Sequence, residues 1–214
     1  MNLNFGYIAI ILVIILVSVI LHELSHGAVA YLLGDNTAKD AGRLTLNPVK
    51  HIDPYMSILV PVVLYIIGAP VFGGAKPVPI NTRNLKWGAW GMALVALAGP
   101  FTNFLLALIG FLIGHFTGFL YGNGGELVSF IFSEFVYVNL GFMLFNLIPI
   151  PPLDGSRVLY ALAPDGFRTV LESIERYGVI LVYILIVLFG NIFSALMFNG
   201  TNAILDFFYM LVGH

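Results

Sequence analysis

Long apolar runs separated by short polar or glycine- and proline-rich stretches dominate the chain. A helix needs about 20 apolar residues to cross a membrane, and four runs reach that length: residues 5–33, 87–116, 126–148 and 178–198. The apolar stretch 203–213 is too short to cross, so additional C-terminal helices are expected over 178–213. The pattern predicts an all-α polytopic membrane protein with a single domain over residues 1–214.

The longest interruption, residues 35–86, is predicted to be a cytoplasmic loop with a short membrane-associated extended or re-entrant element. Alternation of polar and apolar residues at 43–46 predicts a short strand. Residues 55–73 are apolar but contain two prolines, which favours an element that enters and leaves the membrane on one side; a full crossing is the alternative. Two further prolines at 77 and 79 indicate an extended loop.

Positive charge predicts the orientation of the helices. The loops at 35–54, 74–86 and 156–176 each carry three Lys or Arg, whereas the N-terminus and 117–125 carry none. The positive-inside rule therefore places the three basic loops in the cytoplasm and the N-terminus outside. We expect a multi-pass integral protein of the cell membrane.

Composition excludes several classes of function. Only 9% of the 214 residues are charged and 59% are hydrophobic, against about 25% charged residues in a soluble domain, so the lipid bilayer is the expected surrounding. Nine Lys and Arg form no basic patch, which excludes nucleic acid as a partner. There is no cysteine, so any metal must be bound by His, Asp or Glu.

The first apolar run contains an H-E-x-x-H motif, His22-Glu23-Leu24-Ser25-His26. On a helix this spacing places both imidazoles on one face, one turn apart, where they can share a metal ion. Glu23 adds a carboxylate that can handle a proton. Two histidines and a glutamate are costly inside a membrane helix and are functional by default. A structural polar cluster is the alternative.

A catalytic zinc site needs a third protein ligand, and depth in the membrane separates the candidates. At 1.5 Å per residue, His22 lies about 27 Å from the outer start of the first helix. Asn146 lies about 30 Å along the third helix, which runs the same way, and Glu134 only about 12 Å. Asp154, just beyond Asn146, matches the depth of the histidines. Its alternative role is to cap a helix that follows.

These motifs together resemble the site-2 protease family of intramembrane zinc metalloproteases. The resemblance covers about residues 15–162 and rests on four segments: H-E-L-S-H at 22–26, G-A-K-P-V-P-I-N at 74–81, A-G-P-F-T-N at 98–103 and N-L-I-P-I-P-P-L-D-G at 146–155. The chain is similar to the compact single-domain prokaryotic members, which implies a prokaryotic plasma membrane as its location. Unlike larger members, it shows no PDZ or CBS domain.

The resemblance implies a three-helix catalytic core that binds one Zn²⁺ per chain. It implies His22, His26 and Asp154 as metal ligands and Glu23 as the base that activates the zinc water. Asn146 is then the candidate donor to the developing oxyanion, with an interhelical hydrogen bond as its alternative role. The implied substrates are transmembrane segments of other membrane proteins, cleaved in regulated intramembrane proteolysis.

Other functions use the same residues. A membrane metal-ion transporter or metal-sensing protein would need a polar trail through the other helices, and a catalytically inactive protein would only capture helices. His51 is interpreted as a surface histidine rather than a metal ligand. Gly99 and Asn103 are interpreted as a helix-packing face. The oligomeric state and the physiological substrate stay open.

Overall fold

The computed structural model describes residues 5–66, 68 and 74–213, and the regular structure in that part of the chain is helical throughout. Four helices are long and apolar enough to cross a membrane: α1 (Phe5–Leu32), α4 (Ala89–Phe116), α5 (Glu126–Asn146) and α8 (Gly178–Leu211). They coincide with the four predicted apolar runs, except that the last helix extends beyond its run. The prediction of an all-α polytopic membrane protein is confirmed.

Shorter helices lie between the long ones. They are α2 (Thr37–Asp40), a 3₁₀ turn (Pro48–His51), a π-helical turn (Pro54–Leu59) continued by α3 (Val60–Ile66), two 3₁₀ turns (Thr82–Asn84 and Phe119–Tyr121), α6 (Gly155–Leu162) and α7 (Asp165–Glu175). The helices α6 and α7 occupy the region between the third and fourth long helices, directly after the predicted metal ligand Asp154.

The predicted strand at 43–46 is wrong, because the chain bends there. Arg43 is drawn inward instead, and its guanidinium Nη2 donates to the carbonyl of Lys76 at 2.7 Å. In the predicted re-entrant element, the described residues up to Ile66 are helical rather than extended. Residues 67 and 69–73 of that element lie outside the described residues, so re-entrance stays a prediction.

The two C-terminal elements expected at 178–198 and 203–213 are one helix. Its backbone leaves helical geometry at Phe189, with φ −119° and ψ 25°, and then continues to Leu211. The polar residues 199–202 contain no proline, so each of them can donate its backbone N–H to the helix and nothing forces it to end.

Helix α4 is the centre of the molecule. It packs against α1, α5 and α6, while α1 also contacts α5, and α8 contacts α5. The trio α1, α4 and α5 therefore forms the predicted three-helix core. Glycines let the helices approach closely, as at Gly110, where a Cβ would lie 2.7 Å from the ring of Phe135. One apolar cluster joins α4, α5 and α8 and comprises Ala107, Phe111, Val136, Leu140 and Phe208.

A buried carboxylate joins the end of α1 to the chain that leads into α4. Asp35 follows Gly34, whose φ of +105° ends the helix, and its side chain is fully buried. Oδ1 accepts hydrogen bonds from the N–H and hydroxyl of Thr37 and from Asn84 Nδ2, and Oδ2 accepts from the N–H of Asn81 at 2.7 Å. These bonds fix how α1 and α4 lie against each other at this end.

Asp35→Asn is expected to lower the free energy of unfolding by about 2 kcal/mol at neutral pH, since an amide group would meet a backbone N–H. Burial alone raises the pKa of Asp35, but its hydrogen bonds outweigh burial and hold the pKa below its ordinary value. The stabilisation is therefore complete above the unfolded-state pKa of about 4 and is lost as pH falls through the lower folded pKa.

Thermal unfolding in detergent, followed by the fluorescence of Trp87 and Trp90, measures this difference. The difference in unfolding temperature between the wild type and Asp35→Asn should be largest at neutral pH and should shrink below about pH 4. Asp40→Asn, at an exposed carboxylate of α2, is the matched control and should unfold like the wild type. A gap that grows in acid would contradict the role given to Asp35.

Candidate metal centre

Helix α1 presents two buried imidazoles to the core. His22 and His26 are 7% and 6% exposed, and their Nε2 atoms lie 3.0 Å apart. Measured along the helix axis, they lie about 15 Å and about 9 Å before its last residue, Leu32. The two rings therefore meet well inside the membrane-length helix, one turn apart, as the motif spacing predicts.

Asp154 reaches the two imidazoles from the chain that follows α5. Its Oδ2 lies 3.1 Å from His22 Nε2 and 3.4 Å from His26 Nε2. The ligand atoms of the three residues all lie within 4.8 Å of one another. Asp154 immediately precedes α6, yet its side chain makes no capping hydrogen bond to that helix. The structure thus brings the three predicted ligands together and does not show the capping alternative.

Close backbone contacts hold the segment that carries Asp154. A Cβ on Gly155 would lie 2.5 Å from the carbonyl carbon of Leu147, and a Cβ on Gly178 would lie 2.8 Å from Pro152. Two hydrogen bonds between Arg157 and Glu175 tie α6 to the end of α7. The turn before Asp154 is therefore packed against both α6 and the start of α8.

Helix α4 packs directly against both imidazoles at Gly99. A Cβ added to Gly99 would lie 2.5 Å from His22 Nε2 and 2.6 Å from His26 Cε1. Only glycine leaves room for both rings at this position. Gly99 does pack, as interpreted from the sequence, but it packs against the metal-site histidines rather than against a neighbouring helix backbone.

Helix α4 also binds the far nitrogen of each imidazole. His26 Nδ1 donates to the carbonyl of Val95 at 2.7 Å, and His22 Nδ1 lies 2.6 Å from Asn103 Oδ1. Asn103 in turn donates from Nδ2 to Asn139 Oδ1 at 2.8 Å. The packing role assigned to Asn103 is thus incomplete, and Val95 and Asn139 were missed. The sequence does carry a signal for Asn103: it lies one helical turn from Gly99, and burying an amide in a membrane helix costs free energy, which indicates a specific partner.

The donor set fits a zinc ion. Since both Nδ1 atoms carry their protons toward α4, both Nε2 atoms present lone pairs to the Asp154 carboxylate. Asp154 Oδ2 is buried and has no hydrogen-bond donor among the described residues. Three acceptors without a shared proton repel one another unless a cation lies among them. Two imidazoles and one carboxylate also match the three-ligand sets of catalytic zinc sites.

Glu23 lies beside the two predicted ligands on α1 and is held by the loop before α4. Its Oε2 accepts a hydrogen bond from the backbone N–H of Val78 at 2.9 Å. Pro77 and Pro79 have no N–H, so Val78 is the only backbone donor between residues 77 and 79. One carboxylate oxygen of Glu23 is therefore fixed by main chain, which leaves Oε1 for other contacts.

Two further sequence candidates lie elsewhere. Asn146 ends α5, and its Nδ2 donates to the carbonyl of Phe142 on the same helix at 3.0 Å, so the structure shows an intrahelical bond rather than the interhelical alternative. His51 is 2% exposed and its Nε2 donates to the carbonyl of Thr45. The interpretation of His51 as a surface residue is wrong, because the loop folds over it; it is also outside the metal-binding group.

The chain is similar in sequence to known proteins. The model of "Peptidase family M50" matches residues 10–131. The chain is 40% identical to the candidate zinc metalloprotease YwhC of Bacillus subtilis, over 83% of this chain and 80% of that protein. It is 31% identical to the candidate zinc metalloprotease Rip2 of Mycolicibacterium smegmatis, over 85% of this chain and 69% of that protein. No solved structure gives a significant match.

Gly99→Ala is expected to abolish stable zinc binding, because the new methyl group would occupy the space of both imidazoles. Zinc content per chain after purification in detergent measures the effect. Gly141→Ala is the matched control: Gly141 also lies in a core helix, α5, but a Cβ there meets nothing within 4 Å. That variant should keep about one zinc per chain. Full zinc content in Gly99→Ala would contradict the described contact.

Proposed function

This chain belongs to peptidase family M50 and is a zinc metalloprotease, and from that premise we propose that it cleaves transmembrane segments of other membrane proteins inside the bilayer. The position of the three ligand atoms carries the proposal. The two histidines are buried in a membrane-length helix, about 9–15 Å along its axis from the end of α1, and the ligand atom of Asp154 lies within 4.8 Å of theirs. A substrate must therefore enter the membrane layer to be cut.

In this proposal His22, His26 and Asp154 hold the zinc ion, one per chain. A bound zinc ion supplies Lewis-acid chemistry, since it lowers the pKa of water from about 15.7 to about 7 and polarises a carbonyl group. The protein contributes by orienting its own side chains toward the proposed zinc position. The side chain of Asp154 is 20% exposed, against 9% and 8% for the two histidines, so substrate and water approach from the side of Asp154.

Glu23 is proposed as the general base. With Oε2 held by the N–H of Val78, Oε1 accepts a proton from the attacking water. The same carboxyl group then delivers that proton to the amine that leaves when the peptide bond breaks. A positioned base and acid of this kind contributes about 10²–10⁴-fold to the rate.

Asn146 is proposed as the donor to the oxygen of the scissile carbonyl. One N–H of its amide group donates to the carbonyl of Phe142, and the second makes no hydrogen bond with the described residues. Negative charge develops on the carbonyl oxygen as water attacks, and a fixed donor stabilises that charge. Asn146 ends α5 and lies eight positions before Asp154 in the sequence, so one short stretch of chain leads from it to the proposed metal ligand.

The substrate must unwind before it is cut. In a helix each carbonyl accepts a hydrogen bond from the residue four positions on, so an intact transmembrane segment hides its peptide bonds. Residues that weaken the helix near the scissile bond should therefore raise the cleavage rate. The proposed substrate class is single transmembrane helices that contain such residues.

The polar side chains buried in the described long helices offer little support for the metal-transporter alternative. Beyond the metal centre, the buried polar side chains of the described long helices are Ser18, Asn103 and Asn139, and no further carboxylate is buried in those helices. The two amides bind each other instead of lining an open route. A protein that only captures helices would need neither the complete set of metal ligands nor the base. An assay of substrate cleavage separates that alternative from an enzyme.

Glu23→Gln should reduce cleavage of a model transmembrane substrate by at least about 10²-fold, while zinc stays at about one per chain. The amide oxygen of glutamine still accepts the N–H of Val78, so the local fold is kept. Glu134→Gln, in α5 and outside the metal centre, is the matched control and should cleave like the wild type. The assay uses purified protein in detergent or liposomes, with a chelator arm.

A comparison of two substrates tests separately whether cleavage takes place within the membrane. The same scissile sequence is supplied once within a transmembrane helix and once as a soluble peptide. Cleavage of the helix, made faster by a glycine or proline near the cut, supports the proposal. Cleavage of the soluble peptide alone would retain the metalloprotease but reject the substrate class, and full activity in Glu23→Gln would reject the mechanism.

Asn146→Leu should lower kcat by about 10²–10³-fold with little change in KM or zinc content, because the lost donor acts on charge that develops in the transition state. Steady-state cleavage kinetics and zinc analysis measure the three quantities. If kcat is unchanged, Asn146 only serves the end of α5 through its bond to Phe142.

A further inference from the structure

A line of three hydrogen bonds runs from the metal centre into α5. His22 Nδ1 lies 2.6 Å from Asn103 Oδ1, Asn103 Nδ2 lies 2.8 Å from Asn139 Oδ1, and Asn139 Nδ2 lies 2.8 Å from the carbonyl oxygen of Phe135. Asn103 and Asn139 are both fully buried. The line joins all three core helices, with His22 on α1, Asn103 on α4 and Asn139 on α5.

The far end of the line sets the direction of every bond in it. The carbonyl of Phe135 can only accept, so Asn139 must turn its NH₂ group toward it and its oxygen toward Asn103. Asn103 must then donate from its own NH₂ group, which turns its oxygen toward His22. The oxygen of Asn103 accepts, so the proton of the neutral imidazole lies on Nδ1 and the lone pair lies on Nε2.

We propose that Asn139 is a positioning residue that fixes the tautomer of His22 through Asn103, so that Nε2 is ready to bind zinc. The inference rests on the proposed role of His22 as a zinc ligand. Groups behind a metal ligand commonly set its tautomer and orientation, and their loss typically costs about 10–100-fold in metal affinity. The hydrogen bonds of the Asn139 side chain to described residues go to Asn103 and to the carbonyl of Phe135, so it acts on His22 through Asn103.

Without Asn139 the amide of Asn103 loses its direction. One of its N–H groups would stay buried without a partner, or the amide would turn over and face His22 with its NH₂ group. In the second case His22 Nδ1 must accept and its proton moves to Nε2, the atom that faces Asp154. Zinc binding would then have to displace that proton. His26 needs no such support, since Val95 offers it a backbone carbonyl.

Asn139→Leu, a change to an apolar side chain of similar size, should weaken zinc binding by about 10–100-fold. Zinc affinity is measured by competition with a chelator on the full-length protein in detergent. Nitrogen NMR of metal-free, ¹⁵N-histidine-labelled protein reports the tautomer directly. The wild type should show His22 protonated on Nδ1, and Asn139→Leu should show a share protonated on Nε2.

A rescue variant separates positioning from general damage. Asn103→Asp places a carboxylate beside His22 Nδ1, and a carboxylate accepts in either orientation. In the Asn103→Asp background, the Asn139→Leu change should therefore cost little zinc affinity, so that the double variant matches Asn103→Asp alone. If Asn139 only supports packing, Asn139→Leu would lower zinc affinity equally in both backgrounds, and the proposal would be overturned.

Two controls complete the test. Leu140→Ala, at the next and equally buried residue of α5, should lower the thermal unfolding midpoint yet keep wild-type zinc affinity and the wild-type tautomer. His22→Leu should lose zinc outright. Retained zinc in His22→Leu would reject the ligand assignment itself, whereas lost zinc in His22→Leu with wild-type affinity in Asn139→Leu would reject only the role of Asn139.

Discussion

The metal centre depends on where two protons lie. Both histidines of α1 direct their Nδ1 protons toward acceptors supplied by α4, the carbonyl of Val95 and the amide oxygen of Asn103. Both lone pairs consequently point toward Asp154, and the three acceptor atoms require a cation. The fit of α1 against α4 follows from the same requirement: Gly99 has no side chain because the imidazoles fill that space.

The loops determine this fit as much as the helices do. Asp35 fastens the end of α1 to the chain before α4, and the N–H of Lys86 donates to the carbonyl of Leu33 at 2.9 Å. These contacts lie about two helical turns from His26, so any slip of α1 along α4 would part the imidazoles from their acceptors. The position of Asp154 is fixed independently, by the tight packing of Gly155 against Leu147.

The sequence predicts what is local and misses what depends on three helices at once. Apolar length alone locates the long helices, and the spacing of His22 and His26 predicts their shared face. Helix direction and depth single out Asp154, which the structure brings to the histidines. Spacing offers a signal for Asn103 alone, whereas its contact with Asn139 carries none, since that contact depends on how α4 and α5 are rotated. Periodicity at 43–46 also misleads, because a strand needs a partner, and the described residues supply none there.

The loop that holds Glu23 also affects how readily the protein aggregates with other chains. Unpaired extended backbone is a template on which a second chain can add a strand and start aggregation. Here two prolines remove the donors at 77 and 79, Glu23 takes the donor of Val78, and Arg43 occupies the carbonyl of Lys76. The contacts that orient the proposed base therefore also protect the segment from edge-to-edge association.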